Sequence, residues 1–252
     1  MTQPKPRFTL PAMAKCPVCG GSAFTDRPIL WDALVAVWEL SPEERAYVDR
    51  QQGTCCYACG ANLRSGALAE ALLGAAGSVG TLVEFVDTEN VAGIDVLEIN
   101  QAGSLSPYLA RMPRHRLANY PDLDMQAMPY PDGSFDLVIH SDTLEHVPDP
   151  LRALSECRRV LRPEGVLCYT VPVIVGRMTR GCAGRPPSFH GNPSAESEDL
   201  RVNTEFGADM WTWPLRVGFT AVTITATEYP AAIALAAWKG RPRCLGTERG
   251  WR

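Results

Sequence analysis

The feature that most constrains this chain is an alternation of short apolar strands with helical stretches through its middle third. Ile94-Asp95-Val96-Leu97-Glu98-Ile99 is an apolar run of strand length, and Phe135-Asp136-Leu137-Val138-Ile139-His140 is the clearest strand pattern in the chain. Arg116 to Tyr120 fits a further short strand, and Gly165 to Pro172 another buried one. Ser104 to Met112 suits a short helix between them. A longer helix is predicted from Asp149 to Leu161, with Asp149 as N-cap, Pro150 at the first helical position and Arg162-Pro163-Glu164-Gly165 as the stop. Apolar strands interleaved with helices can bury both faces only as a mostly parallel sheet with right-handed crossovers, so the fold class is α/β, doubly wound. Gly218 to Thr227 returns to strand alternation and is expected to end the sheet with an antiparallel pair. In such sheets ligands sit beyond the carboxyl ends of the strands, so residues following Ile99, Tyr120, Ile139 and Val171 are the first places to look for a site.

Before that domain lie two CxxC pairs, Cys16-Pro-Val-Cys19 and Cys56-Tyr-Ala-Cys59, each followed by a glycine. A tight turn of this kind presents two thiolates to one ion, so two of them make a Cys₄ zinc site from Cys16, Cys19, Cys56 and Cys59. Cys55, next to the second pair, leaves open which of the two neighbours is the third ligand. The 36 residues between Cys19 and Cys56 hold a helical insertion, about 29 to 50. Four thiolates leave the metal no open position, so the expected role is a staple for a small module and not a catalyst.

These readings divide the chain into a poorly ordered Pro-rich tail at 1–14, a zinc-binding module at 15–73, an α/β domain at 74–240 and a tail at 241–252. The module ends in a helix expected to be amphipathic, Leu63 to Leu73. The α/β domain includes an aperiodic, lid-like loop at 173–203. Composition narrows the function classes. A net charge of −4 and only three lysines offer no broad positive field, so nucleic acid is an unlikely partner. No apolar run reaches the ~20 residues of a membrane span and none near the start has signal-peptide length, so no membrane partner is expected and the expected location is cytoplasmic. The oligomeric state is left open, a homodimer included.

Four ordered motifs carry a resemblance. Val96-Leu97-Glu98-Ile99, the segment Ala127 to Val138 (AMPYPDGSFDLV), Asp142 to Pro150 (DTLEHVPDP) and Arg159 to Gly165 (RVLRPEG) resemble the class I S-adenosylmethionine-dependent methyltransferases of the small-molecule, LEHVPDP type. The resemblance implies a Rossmann-like methyltransferase fold and S-adenosylmethionine as cofactor beside the zinc. It further implies a small-molecule acceptor, with O-methylation of a sugar or natural-product intermediate in biosynthesis as the expected reaction. Glu98 stands where the family places an acid that hydrogen-bonds cationic or hydroxyl groups of the cofactor. The family's glycine-rich turn is altered: Asn100 and Ala102 replace two glycines and Gly103 remains. Asparagine tolerates the left-handed region and alanine is small, so the turn can still form.

Only 20 residues separate Gly103 from Asp124, which compresses the usual helix and strands, and the family's ribose-binding acid is absent. Asn119 or Asp122 is left as its replacement. Asp124 and Met125 match the pair beside adenine, and Asp142 and Leu144 match further lining of the cofactor pocket. His146, in the LEHV turn, and His190, on the lid-like loop, are the two candidate bases, since an imidazole can take a proton near neutral pH. Trp211, Trp213 and Phe219 are candidates to cover an acceptor pocket. Specificity for the acceptor is expected in segments 28–50 and 173–216, which carry no motif. The altered turn also motivates an alternative, a protein of this fold that has lost methyl transfer and serves as a binding partner or runs an elimination or cyclisation. An RNA methyltransferase is a third reading, disfavoured by charge.

Overall fold

A computed structural model describes residues 13–185, 187–189, 198–242 and 245. The chain begins with the first cysteine turn and strand β1 (Phe24–Asp26), then two helices, α1 (Asp32–Val37) and α2 (Pro42–Gly53), which form the expected insertion. Ser41 caps α2 through a reciprocal capping box with Glu44, and Pro42 opens its first turn. Strand β2 (Thr54–Cys56) pairs antiparallel with β1 and leads into the second cysteine turn.

Helix α3 (Leu63–Ala76) follows, capped by Asn62 and ended by Gly77 in the left-handed conformation at φ 62°. It runs three residues beyond the predicted Leu73, and it is not amphipathic. Only Glu70 and Gly74 of its 14 residues are other than buried. The reason is position: α3 packs against the central sheet on one side while the cysteine turns and α2 cover the other. Helix α4 (Leu82–Val86), with its own capping box from Thr81 and Glu84, leads to the sheet.

The remaining elements are β3 (Val96–Ile99), α5 (Ser106–Leu109), β4 (His115–Ala118), β5 (Phe135–Ser141), α6 (Pro150–Val160), β6 (Leu161–Thr170), β7 (Val173–Ile174), β8 (Arg180–Gly181), β9 (Thr204–Gly207), α7 (Thr212–Arg216), β10 (Ala221–Thr227) and β11 (Ala232–Trp238). The six-stranded sheet has the order β10-β11-β6-β5-β3-β4. Strands β6, β5, β3 and β4 are parallel, whereas β11 is antiparallel to both β6 and β10. The predicted closing antiparallel pair is therefore present, and β4 is an edge because the short 119–134 connection contains no strand. Alternate strand residues enter opposite cores, as a pleat requires. Leu137, Ile139, Val166 and Cys168 face α3, while Val138, Leu167 and Tyr169 face α6.

A third, smaller cluster joins Leu34, Trp38 and Val48 of the insertion to Ile174 and Val202 of the segment after β6. Arg177 ties the same two regions. Its guanidinium donates to the Glu44 carboxylate at 2.9 and 3.0 Å, to the Trp38 carbonyl at 2.7 Å and to Glu205 at 3.1 Å. Multiple charge-assisted bonds hold Glu44 below the ordinary carboxylate range and raise Arg177. Among the described residues no helix is long and apolar enough to cross a membrane. The expected tail at 1–14 lies outside the described residues except for its last two positions, and so does most of 241–252.

Because α3 is walled in on every side, truncating its core should be costly. Leu72→Ala, at a position with no exposure, is expected to lower unfolding free energy by about 2–5 kcal/mol in a denaturant titration. Arg45→Ala, which removes a solvent-exposed pair with Asp32, should change it by less than about 0.5 kcal/mol.

Candidate active site and metal centre

A cavity of about 650 Å³ opens beyond the carboxyl ends of β3, β4 and β5. That volume suits a nucleotide-sized ligand. One wall is the turn after β3, with Ile99, Asn100, Gln101 and Gly103. The opposite wall is Ser141, Asp142 and Thr143 at the end of β5. Tyr120 and the stretch Leu123 to Gln126 form the third side, and His146 with Val147 and Pro148 a fourth. Asp199, Leu200, Arg201 and Asn203 cover it from the segment after β8. That cover is pinned: Asn203 N donates to the Glu145 carbonyl at 2.7 Å, Asn203 Nδ2 to the His146 carbonyl at 2.6 Å, and His146 Nδ1 to the Arg201 carbonyl at 3.0 Å.

The altered turn keeps the backbone path that a glycine would allow. Asn100 has φ 54° and Gly103 φ 55°, both left-handed, while Ala102 has an ordinary φ of −74° that needs no glycine. Asn100 is also anchored by its side chain. Its Oδ1 accepts from Tyr120 N at 2.9 Å, and its Nδ2 lies 3.4 Å from Thr143 Oγ1, so one residue ties the ends of β3, β4 and β5 together. Below the turn, Glu98 is fully buried. One oxygen accepts from Ala102 N at 2.7 Å and the other lies 2.6 Å from His115 Nε2. Glu98 thus builds the turn from beneath and does not line the cavity, a correction to the contact role implied for it.

Of the other residues expected to touch a cofactor, Asn100, Gly103, Asp124, Met125 and Asp142 line the cavity. Asn119 does not: its side chain is exposed at the edge of the sheet, and its carbonyl accepts from Leu123 N, leaving Tyr120 on the rim. Asp122 is likewise exposed and off the cavity. Leu144 is a core residue with no exposure, packed on the α6 side of the sheet. His146 is on the cavity wall, with Nδ1 on a carbonyl and Nε2 3.6 Å from Glu145. His190 lies outside the described residues. Trp213 stacks edge-on against Phe206, Phe219 is in the core and Trp211 is exposed, so none of the three lines this cavity.

Sequence reasoning missed what holds Asp142. Its backbone is left-handed at φ 49°, its Oδ1 lies 2.9 Å from Arg64 Nη1 of α3, and Gln52 Nε2 of α2 donates to its Oδ2 at 3.2 Å. Burial raises its pKa to about 6 although the Arg64 guanidinium opposes the shift. A sequence signal existed only in Arg64 itself, an arginine inside an Ala/Leu-rich helix. His140, on β5, was also unremarked. It is fully buried, stacks on Tyr169 at 5.0 Å, and its pKa is pushed down to about 4 by burial, so it is neutral at physiological pH.

The four expected cysteines converge. Their sulfurs lie within 4.8 Å of one another, with Cys16 Sγ to Cys59 Sγ and Cys19 Sγ to Cys56 Sγ both 3.7 Å. A tetrahedral centre with metal–sulfur bonds near 2.3 Å has edges of about 3.8 Å, so the donor set fits a single ion. The two turns share one hydrogen-bond pattern: Gly20 N donates to Cys16 O at 2.8 Å and Gly60 N to Cys56 O at 2.9 Å, with both glycines left-handed. Cys55 instead points away and donates to the Gln52 carbonyl, so Cys56 is the member of the cluster.

Comparison with known proteins bears on the same residues. Positions 74–169 match the family model described as a methyltransferase domain. The chain's mostly parallel sheet with the antiparallel β11 is the Rossmann-like methyltransferase fold. Over 96 residues the chain is 33% identical to 2-methyl-6-phytyl-1,4-hydroquinone methyltransferase 1 of Oryza sativa subsp. japonica, covering 36% of this chain and 26% of that protein. Over 63 residues it is 40% identical to a probable S-adenosylmethionine-dependent methyltransferase of Mycolicibacterium smegmatis, covering 23% and 24% respectively. The chain therefore spans about a quarter of the length of these curated relatives. A solved SAM-dependent methyltransferase of Thermotoga maritima, a possible histamine N-methyltransferase, covers 69% of this chain and 91% of its own at 17% identity and a TM-score of 0.38.

The left-handed Asn100 gives this turn a sharp test. Asn100→Val puts a β-branched residue at φ 54° and removes both side-chain contacts. It should cost about 2–4 kcal/mol in a denaturant titration, whereas Asn100→Gly should cost no more than about 1 kcal/mol.

Proposed function

We propose that the protein transfers a methyl group from S-adenosylmethionine to a small-molecule acceptor, with an oxygen of a sugar or natural-product intermediate as the accepting atom. The observation that carries this reading is the cavity itself. It opens at the carboxyl ends of β3 and β5, inside the matched domain, and its Asn100–Gly103 turn keeps left-handed backbone despite the lost glycines. The backbone of that turn would pass against the methionine part of the cofactor. Asp124 would accept from the adenine amine, and Met125 would pack on the ring. When bound, the cofactor supplies an electrophilic methyl on a sulfonium whose departure leaves a neutral thioether. The chain then has to hold the acceptor in line and take one proton from a hydroxyl. His146 is the residue on the wall suited to that proton: with Nδ1–H on the Arg201 carbonyl, Nε2 is the basic nitrogen. His190 remains a second candidate base. The pinned cover at 199–203 would keep water from the reacting atoms.

For the four cysteines we assign a structural zinc. The closed tetrahedral donor set leaves no position for water, which supports a staple and not a Lewis acid at the reaction. The reading is of a cytoplasmic enzyme acting on a small molecule.

Calorimetric titration of zinc-loaded protein with S-adenosylmethionine and S-adenosylhomocysteine should give binding in the micromolar range. Absence of binding at millimolar cofactor, with circular dichroism showing folded protein, would transfer the case to a fold that has lost methyl transfer. Metal analysis of purified protein should return one zinc per chain. Cys59→Ser should lower that content and the melting temperature together, and an unchanged melting temperature would remove the structural role.

A further inference from the structure

Beside the large cavity is a narrow cleft of about 70 Å³, walled by Trp31, Leu34, Trp38 and Val48 of the insertion and ending on Gln52 and Arg64. Pro172, just past the carboxyl end of β6, forms its edge. The cleft therefore lies at the same end of the sheet as the large cavity, one strand further along. Gln52 and Arg64 both contact Asp142, which lines the large cavity, so these side chains form the partition between the two spaces.

Arg64 is the unusual member of that partition. Its side chain is 4% exposed, its Nη1 is paired with the one carboxylate in reach, Asp142, and its buried Nε has no hydrogen-bond partner. Buried polar groups are nearly always satisfied, and an unmet guanidinium donor in an apolar wall is costly. Its planar fork suits a carboxylate held through two parallel bonds. Trp31 and Trp38, which line the same cleft, offer flat apolar surface to the carbon skeleton behind such a group.

We infer that this cleft is the acceptor-anchoring site, and that it takes a small apolar carboxylic acid whose carboxylate is bound by Arg64 between Trp31 and Trp38. The cleft is smaller than the roughly 150 Å³ that admits benzene. It therefore holds the carboxylate and the first carbons, and the rest of the acceptor runs past Asp142 toward the large cavity. The carboxylate is the anchor and not the methylated group. This inference rests on the methyltransferase reading for the identity of the neighbouring ligand, but the cleft binds its acid through residues outside that cavity.

The test is a tryptophan-fluorescence titration of zinc-loaded protein, with and without saturating S-adenosylhomocysteine, using isobutyrate and benzoate against isobutyramide and benzamide. The acids are expected to bind at least tenfold tighter than the matching amides. Arg64→Met should erase that difference, and Arg64→Lys should retain part of it. Trp31→Ala, at a half-buried position lining the cleft, should weaken acid and amide alike. Equal binding of acid and amide overturns the inference, as does a preference that survives Arg64→Met. If Arg64→Met does not fold, an acid preference undiminished in Arg64→Lys overturns it as well. Arg64-dependent acid binding by a protein that ignores S-adenosylhomocysteine would leave the cleft standing and sink the methyltransferase reading. Tight S-adenosylhomocysteine binding without acid preference would do the reverse.

Discussion

Helix α3 is the member on which the rest of the structure depends. Its N-cap, Asn62, directly follows Ala61, whose carbonyl accepts from Cys56 N, so the helix starts from the second cysteine turn. Within its first turn Arg64 reaches Asp142 at the end of β5, and Leu68 and Leu72 then pack with no exposure in the core between the sheet and the cysteine turns. A helix buried on nearly all sides cannot slide or rotate without opening voids, and close-packed interiors make such voids expensive. The position of the cysteine turns is thereby fixed relative to the strand ends. The same core that stabilises the sheet sets where Asp142 points.

What could be read from the sequence follows from where periodicity survives. The strands β3 and β5 and helix α6 were legible because apolar alternation, Asp149 and Pro150 are local signals, and local signals agree there with the tertiary environment. Strand β11 was not legible, since Ala232–Trp238 is mostly alanine and alanine carries high helix propensity. Its conformation comes from insertion between β6 and β10, where small side chains suit a strand covered by α3. Helix α3 misled for the opposite reason. A sequence shows how many apolar residues a helix carries, but not that a second layer covers its outer face.

The site divides in the same way. Asn100 could be assessed from residue chemistry alone, because tolerance of positive φ is a property of the side chain. The placement of Glu98 could not: whether a carboxylate at a strand end faces a ligand or folds back under its own turn depends on Ala102 N and His115, one in the turn and one on the neighbouring strand. Asp142 belongs with Glu98. Its holders come from α2 and α3, some 80 to 90 residues away in sequence, and no local pattern announces a contact across that distance.

The insertion and the segment after β6 carry no motif, yet together they make the walls that distinguish this molecule. Trp38 and Val48 pack on Ile174 and Val202, and Arg177 fastens the two with hydrogen bonds to both a carboxylate and carbonyls. Neither segment builds the six-stranded sheet, and each supplies part of the other's core. Gln52 belongs to this arrangement and also borders the cysteine cluster. It precedes Cys56 by four residues, and its side chain reaches Asp142 while its carbonyl accepts from Cys55 Sγ. An ion bound by the four cysteines would hold Cys56 in its turn and, through Cys55 and Gln52, the end of α2 against the strand end. A closed Cys₄ site would in this way set the shape of the site without taking part in its chemistry.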